Sequence, residues 1–156
     1  MAYVSKEKKE EIRQAVKKVM PHDWKWSLAV KDYSKAILTI SKAPVDLVKV
    51  ICDSQDAHEA YRKALGYTVY GSGSDYARKH GNVDITASDV ERLKNDGLQG
   101  RYFAKVFGQL IDAMNTGNYD NSDMMTDYFE VGHYIEVQIG SWKTPFKLTT
   151  QTLKAA

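Results

Sequence analysis

Hydrophobic positions recur with two different periods along this chain, and each change of period marks a new element. Between residues 5 and 20, Ile12, Val16, Val19 and Met20 fall at i, i+4, i+7 and i+8, the spacing of one helical stripe. Ser5 is placed to cap this helix and Pro21 to end it. The period then drops to two: Trp24, Trp26, Leu28 and Val30 alternate with Lys25, Ser27, Ala29 and Lys31, a strand pattern. Asp32–Ser34 supplies turn residues and Lys35–Ser41 reads as the return strand, so a hairpin is expected.

Pro44 suits the first turn of a helix, where its missing N–H costs nothing. That helix is expected to run from 44 to Leu65 and to stop at Gly66. Val48, Ile51, Cys52, Tyr61 and Leu65 are its expected buried side, with Asp53-Ser54-Gln55-Asp56 as a point where it divides. From Tyr67 to Gly81 the pattern weakens and leaves a short hairpin and a surface loop both open, because Gly and Ser punctuate rather than pack. Asn82–Thr86 reads as a short strand and Asp89–Asn95 as a short helix capped by Thr86 or Ser88. A strong helix follows over 98–116, with Phe103, Phe107, Leu110 and Met114 on one stripe and Gly117 as its stop. A polar stretch, Asn118–Glu130, leads to a final strand at 131–140, where His133, Ile135, Val137 and Ile139 alternate with Tyr134, Glu136 and Gln138.

Helices and strands in this order do not alternate regularly enough for a parallel sheet. The expected fold is therefore a single α+β domain over residues 1–156, with a mostly antiparallel sheet of three to four strands and helices packed on one face. Trp24 and Trp26 are expected on one face of the first strand, anchoring the sheet to the first helix.

Composition narrows the function classes without choosing one. With 156 residues, 43% hydrophobic and 27% charged, the chain has a globular balance and core enough to fold without disulfides. A net charge of +2 excludes a histone-like or acidic-mimic character in bulk and leaves local patches open. The single Cys52 excludes an internal disulfide and a multi-cysteine zinc site; among apolar neighbours it reads as an inert core thiol in a reducing compartment. The start, MAYVSKEKKEE, carries no apolar run behind its lysines, and no segment has the apolar length of a membrane span. A soluble protein in the cytoplasm, without a membrane partner, is the expectation.

Candidate chemistry concentrates in one stretch, NYDNSDMMTDYFEVGHY, from Asn118 to Tyr134. Asp120, Asp123, Asp127 and Glu130 stand there without a lysine or arginine, bracketed by Tyr119, Tyr128 and Phe129. A calcium loop starting at Asp120 fails, because Met124 and Met125 occupy the positions that need an oxygen ligand and a glycine. Three readings stand: a helix cap with acids facing water, a partner-binding patch, and a metal or catalytic site. His22, His58, His80 and His133 show no zinc spacing, and His133 reads as a hydrogen-bonded core histidine. No nucleophile elbow, phosphate loop or dinucleotide fingerprint occurs. Ten tyrosines and three tryptophans are generous, and such rings serve interfaces and base stacking alike. Trp142, just past the last strand in GSWKTPF, is the best candidate for an exposed ring.

The same stretch carries a resemblance. NYDNSDMMTDYFEVGHYIEVQIGSWKTPFKL, with MAYVSKEKK, WKWSLAV and ILTISKAPVDL, resembles a group of small proteins encoded on phages, prophages and plasmids of proteobacteria. Val83-Asp84-Ile85-Thr86 matches the group's short segment before the last helix, with Thr86 where asparagine is more usual; the Cys52–Gly81 region departs from the group. The resemblance implies accessory cargo of mobile elements and names no reaction. By analogy with such cargo, the leading expectation is a non-enzymatic binding protein, without catalytic residues, cofactor or metal, that docks on a host protein complex. An inhibitor of host defence, anti-CRISPR or anti-restriction, is the specific form. Its partner-binding residues would be Tyr119, Asp120, Asp123, Asp127, Tyr128 and Trp142. The alternative is a nucleic-acid or nucleotide binder using the lysine-rich first helix and exposed aromatics. A small enzyme built on Asp120–Asp127 and His133 is the third reading.

Overall fold

The hairpin read from the sequence forms one side of the sheet. The computed structural model describes residues 3–68, 74–118 and 132–149. In it β1 (Lys25–Lys31) pairs antiparallel with β2 (Lys35–Ala43), placing Leu28 opposite Leu38 and Trp26 opposite Ile40. Helix α1 (Lys6–Val19) precedes them, capped by the Ser5 side chain, which accepts the Lys8 amide at 3.1 Å. After β2 come α2 (Leu47–Ala64), α3 (Ser74–His80), β3 (Val83–Ile85), α4 (Ala87–Lys94) and α5 (Gly97–Met114). The chain then returns to the sheet as β4 (Tyr134–Ile139) and β5 (Lys147–Leu148).

The α+β class is as expected, but the sheet is mixed rather than mostly antiparallel. Its order is β1-β2-β4-β3, and β4 runs parallel to β2, with β5 parallel to β2 further along. The β1–β2 and β3–β4 pairs are antiparallel. Direction follows from where the chain re-enters: the Tyr134 amide donates to the Ser34 carbonyl at 2.8 Å, so β4 starts beside the start of β2. A parallel neighbour needs a long crossover, and the helices between residues 44 and 133 supply it.

Alternation assigns the two faces. Leu28, Ala36, Leu38, Ile40, Val137 and Ile139 are buried and join the helical side chains in one core, so Val137 and Ile139 face inward as their spacing predicts. The opposite face is polar, with a Lys35–Glu136 ion pair at 3.4 Å and a Gln138-to-Thr39 hydrogen bond at 2.8 Å. Trp24 is buried in the same core as Ile12 and Val16 of α1, and its ring packs on α5, 6.1 Å from Phe107 and 6.5 Å from Phe103. Trp26 is only partly buried against the core.

Three helical expectations need correction. Helix α2 starts after Asp46, whose carboxylate accepts the Lys49 amide at 3.1 Å, so Pro44 lies before the helix. The helix also runs unbroken through Asp53–Asp56. Its polar side chains find partners on other elements instead of competing for the backbone: Asp53 and Asp56 with Arg78, Asp56 with Ser74, and Gln55 with Asp89. Tyr61 and Leu65, expected inside, are exposed, because the last turns of α2 project beyond the core; Gly66 at φ +91° ends the helix as expected. Within Tyr67–Gly81, Ser74–His80 is helical, neither hairpin nor loop. Asp75 in its first turn and Arg78, Lys79 and His80 in its last suit the helix dipole.

Candidate functional site

Of the six residues proposed as a partner-binding patch, Tyr119, Asp120, Asp123, Asp127 and Tyr128 lie outside the described residues. Trp142 is described, and the local chain explains its position. Strand β4 ends where the Gly140 amide donates to the Ile40 carbonyl at 2.8 Å, and Gly140 turns at φ +68°. The Ser141 amide donates to the Thr144 carbonyl at 2.9 Å, and the Ser141 hydroxyl oxygen accepts the Thr144 amide at 3.0 Å. Trp142 and Lys143 therefore sit at the two central positions of a tight turn. The Phe146 amide then donates to the Gly81 carbonyl at 2.8 Å, and the Thr149 amide to Ala43 at 2.8 Å, returning the chain to β2. Residues 140–146 are thus an excursion clamped at both ends against one strand.

The excursion delivers Trp142 onto helix α3. Its ring lies 5.3 Å from that of His80 and 6.5 Å from that of Tyr76, its plane nearly parallel to the latter at 9°. Tyr76 and His80, at i and i+4 on α3, stand 4.1 Å apart. Trp142 remains 67% exposed and Tyr76 56%. Ring pairs of this kind contribute about 0.5–1.5 kcal/mol beyond area burial, enough to order a surface pad without burying it.

Helix α3 is itself tied down by charge. The Arg78 guanidinium contacts Asp53 at 2.9 Å and Asp56 at 2.6 Å, and the Ser74 hydroxyl donates to Asp56 at 2.6 Å. Hydrogen bonds from Lys49 and then Arg78 hold the Asp53 carboxyl below its usual range; those from Ser74 and then Arg78 do the same at Asp56. A cleft of about 500 Å³ beside this network is lined by Asp46, Lys49, Arg78 and Phe146, among others.

The remaining candidates have structural roles. Cys52 is fully buried, its thiol 3.7 Å from the Ser74 carbonyl, and burial pushes its pKa up, as an inert core thiol requires. His133 is buried, just before β4, with Nε2 2.8 Å from the Met114 carbonyl, which assigns the ring proton to Nε2. Burial lowers its pKa, and nearby Lys8 acts in the same direction. Among the described residues no group of three or more His, Cys, Asp or Glu side chains is arranged to hold a metal ion. No helix among them is long and apolar enough to cross a membrane.

Sequence reasoning singled out Trp142 but missed Tyr76 and His80. The Tyr-x-x-x-His spacing was the available signal, and it became meaningful only once Ser74–His80 was known to be helical. Comparison of the chain with family models, with curated proteins and with solved structures finds no match.

Proposed function

We propose that this chain is a non-enzymatic binding protein that docks on a protein partner through the Trp142–Tyr76–His80 pad. The observation that supports the reading is an ordered aromatic surface which the fold does not need for its core: two of its three rings are more than half exposed. Exposed Trp and Tyr on a stable backbone supply contact area at little entropic cost, and such residues dominate binding energy. The acidic residues Asp120, Asp123 and Asp127, with Tyr119 and Tyr128, belong to the same proposal as partner-binding residues read from the sequence, since such charge acts on association rate.

The resemblance to mobile-element cargo extends the proposal to a role: inhibition of a host defence system, anti-CRISPR or anti-restriction, in the bacterial cytoplasm. Phage plating on cells carrying an active defence system tests it. Expression of the chain should raise plating efficiency, and Trp142→Ala with Tyr76→Ala should abolish the gain while the protein still accumulates folded. Unchanged plating against both CRISPR and restriction barriers would reject the inhibitory role, and a gain retained by the double variant would reject the pad.

A further inference from the structure

At the end of the sheet where the β1–β2 hairpin turns, three backbone hydrogen bonds gather segments from distant parts of the chain. The Tyr3 amide donates to the Gly132 carbonyl at 3.0 Å, the Val4 amide to Tyr33 at 2.6 Å, and the Tyr134 amide to Ser34 at 2.8 Å. Each bond leaves a tyrosine at the surface: Tyr3 is 57% exposed, Tyr33 77% and Tyr134 51%.

Lysines surround these rings. Lys6 and Lys9 line a cavity of about 560 Å³ together with Tyr3, Tyr33 and Asp32. Lys31 and Lys35 are paired directly across the hairpin, and like charges facing each other on a strand pair repel. Glu136 compensates Lys35 at 3.4 Å, whereas Lys6, Lys9 and Lys31 have no ion pair among the described residues. On α1, Glu7, Glu10 and Glu11 line, with Lys18, a groove of about 860 Å³ against α5, and Glu10, four positions after Lys6, pairs with Arg13 at 3.8 Å. The result is a local excess of positive charge in a chain whose net charge is only +2.

We propose that this end of the molecule binds single-stranded nucleic acid. Lysines without an ion pair among the described residues supply sequence-independent attraction to phosphates. Exposed tyrosines supply faces on which unpaired bases stack, each worth about tenfold or more in affinity. A duplex keeps its bases stacked on one another and would use only the lysines, so the tyrosines favour the single-stranded form. The inference is independent of the pad, which lies on α3 and residues 140–146.

Fluorescence anisotropy with a fluorescein-labelled 15-mer of deoxythymidine tests it on the whole chain. The expected affinity falls with salt, with a log–log slope of about −2 to −3 for three or four neutralised phosphates. Tyr33→Ala with Tyr134→Ala should weaken binding about a hundredfold or more and leave that slope unchanged. Lys6→Gln with Lys9→Gln and Lys31→Gln should flatten the slope, and Tyr33→Phe should restore the stacking contribution at its position. Photocrosslinking of a 4-thiothymidine oligonucleotide to the unmutated protein should label Tyr3, Tyr33 or Tyr134, a readout that survives if a variant fails to fold. The proposal is overturned by absent binding at about 50 mM salt, by crosslinks elsewhere, by a duplex that binds as tightly as the single strand, or by a glutamate decamer that does so. The last result would assign the patch to an acidic protein partner.

Discussion

The α-carbon of Gly140 lies against the carbonyl oxygen of Gly81 so closely that a β-carbon there would overlap it and stand 2.6 Å from the Phe146 amide nitrogen. Both glycines have positive φ, +68° and +70°. This contact fixes the chain leaving α3 against the chain leaving β4, and so sets Trp142 over Tyr76 and His80. Gly140→Ala should therefore cost about 2–4 kcal/mol, combining left-handed strain with a backbone clash. Urea unfolding checks it; a loss below about 0.5 kcal/mol would mean that the junction yields easily.

Core aromatics should divide by burial. Phe107→Ala and Trp24→Ala each empty a buried ring site and should cost about 3–5 kcal/mol. Trp26→Ala, at a partly buried site, should cost less, about 1–3 kcal/mol. Equal losses at Trp24 and Trp26 would contradict the placement of Trp24 against α5.

Asp89 is a buried carboxylate with three partner residues. It accepts the Thr86 amide at 2.9 Å within a capping box, accepts Gln55 at 3.2 Å, and pairs with Arg92. Asp89→Ala should lose about 2–4 kcal/mol, because it removes the cap and leaves Arg92 without its carboxylate. Glu91→Ala, on the exposed side of the same helix, should stay within about 0.5 kcal/mol. Chemical denaturation of both variants tests the contrast.

His133 gives stability a pH dependence of known sign. Its folded-state pKa is lowered from 6.5 by burial, so the unfolded chain takes up the proton first. The contribution is fully present above the unfolded value and is lost as pH falls from about 6.5 towards the folded pKa. His133→Gln should remove this component from the stability profile as pH falls below about 7. A profile unchanged by the substitution would contradict neutral burial.

Legibility in the sequence followed the range of the interactions responsible. Period two identified Leu28, Val137 and Ile139 as core-facing, because facing is a local property of a strand. The direction of β4 is not local; it depends on a hydrogen bond between Tyr134 and Ser34, 100 positions apart, and no pattern within 131–140 encodes it. Helix α3 stayed hidden because Ser74 and Ala77 are its only buried residues and its anchors, Asp53 and Asp56, lie on α2. The same aspartates suggested a break in α2, since a polar run reads as a breaker until its partners are visible. Trp142 could be singled out from its place beyond a strand, whereas its stacking partners, and the Tyr3–Tyr33–Tyr134 cluster, exist only in the tertiary structure.

The docking claim is tested most directly by quantitative affinity purification from the native host, comparing the unmutated chain with Trp142→Ala, Tyr76→Ala. Both proteins should first give cooperative thermal melts well above the assay temperature, since these rings lie outside the core. The account predicts a defined set of host proteins enriched with the unmutated chain and reduced at least tenfold with the double variant, the loss expected on removing two interface anchors. Equal enrichment by both would contradict the pad as the binding surface.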